Sequence, residues 1–290
     1  MESWMFFLIY PAKLNMQILQ KLHIFIFGYF ICNANADTLE MKFWKKNDDT
    51  LIAYGMISEQ SLVEFKKQDF QKIKYLVVTS GGGEIHAAAE IGLIILRNNI
   101  TVIASEYCLS SCANWLFLPA KEKILSKNAL LGFHADIISQ FNLVRKQIKI
   151  SNGDPSKNLF LIGEESTKLL FSEAGISSTI YSEIAQRTTY APPSIVMSVK
   201  TDKGQLVEYE LTGNDENDST LYSKYQNAKV ISYRWKGRIE NAFWFPSKSE
   251  LESFKVSGIQ DYYYPTNIGE VESLEKGYRI HLIGSWKQAD

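Results

Sequence analysis

From Thr50 onward, short apolar runs alternate with longer amphipathic segments. Leu51–Ile57 reads as a strand, and Ser58 stands where a capping hydroxyl would open a helix reaching about Gln68. Tyr75–Val78 is a continuous β-prone run, the pattern of a strand buried on both faces. It ends in Ser80-Gly81-Gly82-Gly83, and a helix follows with Ala87, Ile91, Ile94 and Ile95 on one side, closing near Asn98-Asn99. Ile100–Ala104 is the next buried strand. Ser110 or Ser111 then opens a short apolar helix through Leu118. Lys123–Leu125 and Leu130–Phe133 are further strands, the second leading into His134. Strands separated by helices of this length predict βαβ units with right-handed crossovers, and so an α/β fold with a mainly parallel sheet.

The first 36 residues follow a different pattern. Leu22–Cys32 is an apolar run of eleven residues behind Lys21, followed by Asn33-Ala34-Asn35-Ala36. The small residues at Ala34 and Ala36 fit a signal-peptidase site, so residues 1–36 read as a signal peptide, with Met16 as an alternative start. Eleven residues fall short of the roughly twenty that cross a bilayer. The competing readings are a buried core helix and an uncleaved anchor. Cleavage after Ala36 predicts a periplasmic or secreted protein that meets a membrane only through its export signal. Bulky Phe30 and Ile31 before Cys32 argue against lipid attachment.

Charge and cysteine count narrow the chemistry. The chain has 31 Lys+Arg against 32 Asp+Glu, a net charge of −1, which offers no basic field for nucleic acid. Three cysteines are an odd number, but loss of residues 1–36 removes Cys32 and leaves Cys108 and Cys112. Two cysteines in an exported chain suggest one disulfide; otherwise both are buried hydrophobes. They bracket Ser110 and Ser111. A serine at a strand-to-helix junction is exposed, and the following N–H is an unpaired donor at the helix start. Gly81-Gly82-Gly83 lets bare backbone N–H groups turn toward a ligand, forming half of an oxyanion hole or simply a tight turn. No Gly-Lys-Ser/Thr follows it, so it is no phosphate loop, and no cofactor is expected. No second Cys or His pair stands near the cysteines, so no metal is expected either. His86, His134 and His281 remain beyond residue 36, and His134 emerges from a predicted strand two dozen residues after the serine.

The order strand, Ser-x-Gly-Gly, helix, strand, serine-bearing helix, strand, histidine resembles the Clp-type serine peptidases of the ClpP/crotonase superfold. It looks especially like their exported relatives with a Cys-x-Ser-x-Cys element. The resemblance spans roughly residues 50–190, and Pro119-Ala120-Lys121 matches the family's Gly-Ala-Lys. It implies repeated ββα units, with Ser110 as nucleophile and His134 as general base. Oxyanion donors would come from the backbone at Gly82, Gly83 and Ser111. The family's third member is an aspartate; Glu183, in a helix expected over Ser177–Arg187, occupies the aligned position, with Asp136 as runner-up. The implied activity is acyl transfer on a peptide or unfolded protein, by a homo-oligomer. A non-catalytic binding or scaffolding module and a crotonase-like acyl-thioester enzyme are the alternatives.

The expected domain is residues 37–199, and residues 200–290 form an extension that packs on it or completes it. Gly213–Asp218 reads as an exposed loop. Tyr233, Trp235, Phe243–Phe245 and Tyr262–Tyr264 make aromatic-rich strands, for which core packing is favoured over a peptide-binding surface. Ser247-x-x-Glu250 is a capping box opening a short helix, with Gly258 as its close.

Overall fold

In the computed structural model, the described residues are 40–150, 154–188, 194–212, 215–225, 227–236 and 242–286. The signal peptide expected at residues 1–36 lies outside them. Strands β1 (Lys42–Lys45) and β2 (Thr50–Tyr54) form an antiparallel hairpin. Helix α1 (Glu59–Lys66) follows, closed at its start by Ser58, whose side chain accepts from the Ser61 N–H while the Ser61 hydroxyl accepts from the Ser58 N–H. Strand β3 (Tyr75–Ser80) lies parallel to β2, and helix α2 (Ile85–Arg97) carries the chain to β4 (Thr101–Leu109), parallel to β3.

The long strand β4 has two partners on one edge. Its first half pairs with β5 (Lys123–Leu125), and its last three residues pair with β6 (Leu130–Gly132) in the register Leu109↔Gly132. That fork brings the chain beyond Leu109 alongside the chain beyond Gly132. Leu51, Ala53, Leu76, Val78, Val102 and Ala104 are fully buried along β2, β3 and β4, as expected for strands inside a parallel sheet. Gly92 of α2 lets that helix press on the turn after β4: a Cβ there would lie 2.0 Å from the Trp115 carbonyl oxygen.

Helices α3 (Ile137–Ile150), α4 (Leu159–Ala174) and α5 (Ile180–Thr188) come next. Strand β7 (Ser194–Lys200) then pairs antiparallel with β8 (Leu206–Leu211) and β9 (Lys229–Lys236) in a separate three-stranded sheet. Its apolar cluster, Ile195, Met197, Val199, Tyr209 and Leu211, is closed by Leu143 of α3. The boundary expected after residue 199 falls one residue short of the end of β7.

The exposed loop expected at Gly213–Asp218 is corrected over its described part. Residues 215–225 form helix α6 (Asp215–Tyr225), and Asp218 is 3% exposed. Its carboxylate accepts from Lys146 at 2.9 Å and from the Thr212 N–H at 3.0 Å. The acidic run reads as a turn by composition, but acidic residues also suit the first turn of a helix.

Residues 242–286 join the main core. Strand β10 (Ala242–Trp244) leads to helix α7 (Lys248–Ser253), whose capping box between Ser247 and Glu250 is formed. Strand β11 (Ile259–Tyr262) adds to the open edge of β5 in parallel. Helix α8 (Ile268–Tyr278) and β12 (His281–Ile283), parallel to β10, complete the described chain. The main sheet is therefore seven-stranded, in the order β1-β2-β3-β4-β5-β11 with β6 beside β4. The fold is mixed α/β with a mostly parallel central sheet. Gly258 has a different task from the expected helix closure, since α7 ends at Ser253. A Cβ at Gly258 would lie 1.7 Å from the Lys121 carbonyl oxygen, so glycine is what allows β11 to reach β5.

Candidate active site

Ser110 follows the last residue of β4 and holds φ at +54°, in the left-handed region that costs a residue with a Cβ. Its N–H donates to the Gly132 carbonyl at 2.8 Å, tying the serine to the end of β6. Cys108 and Cys112 are joined by a disulfide, which encloses Leu109, Ser110 and Ser111 in one small loop. Both cysteines are fully buried. The helix that follows is a π-helical turn over Cys112–Phe117, with the Leu118 N–H reaching back to the Ala113 carbonyl. The expected short apolar helix is thus present in a wider winding, a form that recurs at functional sites.

His134 lies two residues beyond β6. Its Nε2 is 2.7 Å from Ser110 Oγ. Phe133, just before it, exchanges backbone hydrogen bonds with Trp244 at 2.9 and 2.8 Å. Just after it, Ala135 holds φ at +77°, and its N–H donates to Thr188 Oγ1 at 3.2 Å. The imidazole packs on Phe243 with ring centroids 4.6 Å apart. Burial lowers the His134 pKa to about 4, so the ring is neutral at physiological pH.

The glycine segment meets the serine directly. Gly82 has φ +102° and Gly83 has φ +144°. A Cβ on Gly82 would lie 2.8 Å from both Ser110 Cβ and the Ser111 nitrogen, so no other residue fits. Ser111 Oγ donates to the Gly83 carbonyl at 2.6 Å, stitching the segment to the serine turn. The three expected donors then separate. The Gly82 N–H is occupied by Ser80 Oγ at 3.1 Å. Those of Gly83 and Ser111 have no hydrogen-bond partner among the described residues.

Neighbouring bonds aim both free donors. A trans peptide sets its N–H opposite its C=O. The Gly82 carbonyl, in the peptide that carries the Gly83 N–H, accepts from Ile57 at 2.7 Å. The Ser110 carbonyl, in the peptide that carries the Ser111 N–H, accepts from the Asn114 N–H at 3.0 Å and from Asn114 Nδ2 at 3.1 Å.

Neither carboxylate expected as a third member reaches the histidine. Glu183 of α5 accepts from Arg187 Nε at 2.5 Å, one turn along its own helix. Asp136 caps the start of α3, accepting from the Ser139 N–H at 3.0 Å and the Ser139 hydroxyl at 2.6 Å. His134 Nδ1 is buried and has no hydrogen-bond partner among the described residues. Glu183 lies on α5, but the α5 residues turned inward are Ile180, Tyr181, Ile184 and Thr188.

Phe243 and Trp244 belong to the site and were missed as such. Their only signal in the sequence was the Phe243-Trp244-Phe245 run, read as core; all three are indeed at most 1% exposed. That one of them would cover the histidine is a consequence of β10 returning beside Phe133. Among the described residues, no group of three or more His, Cys, Asp or Glu side chains is arranged to hold a metal, and no helix is long and apolar enough to cross a membrane.

Comparison with known proteins shows no family for the chain. No family model matches it and no curated protein matches it. The solved structure of ThnE from S. clavuligerus is similar over 49% of this chain and 89% of that one, at 12% identity and a TM-score of 0.24, too remote to argue for fold or function.

Proposed function

We propose that the protein is an exported serine hydrolase of the ClpP/crotonase superfold, acting by acyl transfer on a peptide or unfolded polypeptide. The observation that carries the reading is the 2.7 Å contact between His134 Nε2 and Ser110 Oγ at a serine in the left-handed region. His134 takes the Ser110 proton as Oγ attacks a carbonyl carbon, and later returns it to the leaving amine. The N–H groups of Gly83 and Ser111 receive the negative charge that develops on the carbonyl oxygen. Burial of His134 leaves the base in its neutral, proton-accepting form at any pH well above about 4, at the cost of basicity that an ideal general base would keep.

For Nε2 to accept a proton, the ring proton must sit on Nδ1. In most serine triads a carboxylate fixes that tautomer. Here the ring is held by packing on Phe243 and by the Phe133–Trp244 bridge, so the reading is of a Ser-His dyad. Periplasmic location and assembly into a homo-oligomer belong to the same proposal.

A second reading is a binding module that keeps the fold without the reaction, and the unpartnered Nδ1 is what favours it. A fluorophosphonate probe separates the two. The hydrolase labels at Ser110, Ser110→Ala removes the label, and His134→Ala slows it by roughly 10²–10⁴-fold. Absence of label on folded, disulfide-intact protein sinks the hydrolase reading.

A further inference from the structure

We infer that Glu59, Glu84 and His86 form a side-chain latch that positions the Gly83 N–H, making them positioning residues for the proposed reaction; the role rests on the hydrolase reading, the latch itself on geometry. The segment Ile57–Glu59 is strapped to Gly82–His86 by four links. Two are backbone bonds: Ile57 N–H to Gly82 O at 2.7 Å, and Glu84 N–H to Ile57 O at 3.0 Å. Two run through side chains: Glu59 N–H donates to Glu84 Oε2 at 2.8 Å, and His86 Nδ1 meets Glu59 Oε1 at 2.8 Å. The backbone pair clamps both peptides that flank Gly83. The side-chain pair holds the start of α1 against the start of α2, and so holds the clamp closed.

The fit allows little drift. A Cβ on Gly83 would lie 2.0 Å from the Ile57 carbonyl oxygen. From the other side, Gly163 of α4 packs so closely that its Cβ would lie 2.8 Å from the His86 nitrogen. A shift at Ile57 therefore turns the peptide that carries the Gly83 N–H; a full ångström of misplacement costs catalysis about a hundredfold, and a partial loosening several-fold.

Both side-chain links titrate. The hydrogen bond that His86 donates to the Glu59 carboxylate raises the His86 pKa, with Glu59 and Glu90 adding charge attraction against burial and Lys66. Burial raises that of Glu84, with Glu59 and Glu40 repelling it, while the Glu59 N–H bond and His86 oppose the rise. Glu40 is itself engaged by the Ser58 hydroxyl at 2.8 Å. On α4, Gly163 brings no charge, and Glu164 beside it is paired with Arg145 and Lys168. A raised histidine pKa gives a link whose charge-assisted part is complete below the ordinary value of His and is lost as pH rises through the raised one, leaving the weaker neutral hydrogen bond. A raised carboxyl pKa weakens the Glu84 acceptor on the acid side. The latch is tightest between the two.

The test is the rate of fluorophosphonate labelling at Ser110 against pH in the full, disulfide-intact chain, with amide exchange of Ile57 and Glu84 measured alongside. Wild type is expected to label more slowly as pH rises through the His86 value. In His86→Gln and Glu59→Gln that limb is lost and the rate stays several-fold low throughout. His86→Arg, which keeps a charge, retains the fast rate on the alkaline side. Coincident pH profiles in wild type and variants overturn the inference. If wild type does not label, exchange decides: faster exchange at Ile57 and Glu84 in His86→Gln upholds the latch while the hydrolase reading fails, and unchanged exchange overturns the latch itself.

Discussion

Lys123 offers a test of the fold that is independent of any activity. It sits in β5, inside the parallel sheet, and is 2% exposed. Its Nζ donates to the Ser257 carbonyl at 2.5 Å, and no carboxylate pairs with it among the described residues. Burial lowers its pKa from 10.5 to about 7. Because the value is lowered on folding, the unfolded chain binds the proton between pH 7 and 10.5 where the native chain does not, so stability rises with pH across that window. At about 1.4 kcal/mol per pKa unit, the lysine costs the fold about 5 kcal/mol at or below pH 7, and about 2 kcal/mol at pH 9. Lys123→Met keeps the length of the chain and removes the charge. Urea unfolding of both proteins from pH 6 to pH 10 should show the variant more stable by several kcal/mol at pH 6–7, with the gap closing by up to about 1.4 kcal/mol per pH unit above that. Tyrosines whose pKa is raised, such as Tyr107 at about 12, are common to both and cancel in the difference. A gap that does not change with pH would refute the reasoning, and so would a wild type that is the more stable at neutral pH.

Other perturbations address the site. Besides the acid-side weakening through Glu84, the rate of probe labelling should fall as pH approaches about 4, since the neutral form of His134 is the base; a limb near the ordinary histidine value that persists in Glu84→Gln would show that the ring is solvated. Phe243→Ala removes the ring that covers His134 and should move that limb to higher pH, while costing about 3–5 kcal/mol in denaturant unfolding; an unmoved limb would mean that Phe243 does not set the burial. Reducing Cys108–Cys112, or replacing both by alanine, frees the loop that holds Ser110 in the left-handed region and should slow labelling with the secondary structure retained by circular dichroism; equal rates would assign the disulfide to stability alone. Gly92→Ala forces a Cβ to within 2.0 Å of the Trp115 carbonyl oxygen and should lower the thermal midpoint clearly, whereas Gly175→Ala, with open space around it, meets only the cost of a positive φ.

The sheet and the meeting of Ser110 with His134 were legible because they rest on local signals. A continuous apolar run such as Tyr75–Val78 specifies a buried parallel strand, and the glycines after it permit the positive φ that Gly82 and Gly83 adopt. Ser110 and His134 were reachable because each follows a strand end, and the sheet brings strand ends together. What was not legible depends on contacts between distant segments. Nothing near Asp218 announces that Lys146 will neutralise it, so an acidic run reads as solvent-facing until α3 is in place. Gly258 after a short helix carries the mark of a cap, and only the approach of Lys121 gives it another reason to be glycine. The pairing of Glu183 with Arg187 was hidden for the same reason: helical phase decides which side of α5 turns inward, and a single aligned position does not fix phase against a core.

The Phe133–Trp244 bridge has a consequence for how the molecule is made. The residue beside the proposed base pairs with a strand more than a hundred positions further along, whereas Ser110 and its disulfide are complete within a few residues. During synthesis or translocation the serine turn can therefore close early, while the histidine gains its backing only after β10 has emerged and docked. Contacts of such long sequence separation form late. On the proposed hydrolase reading, a growing chain would carry Ser110 and His134 before the strand that backs the histidine, which would spare nearby unfolded polypeptide, its own included, until the fold is finished.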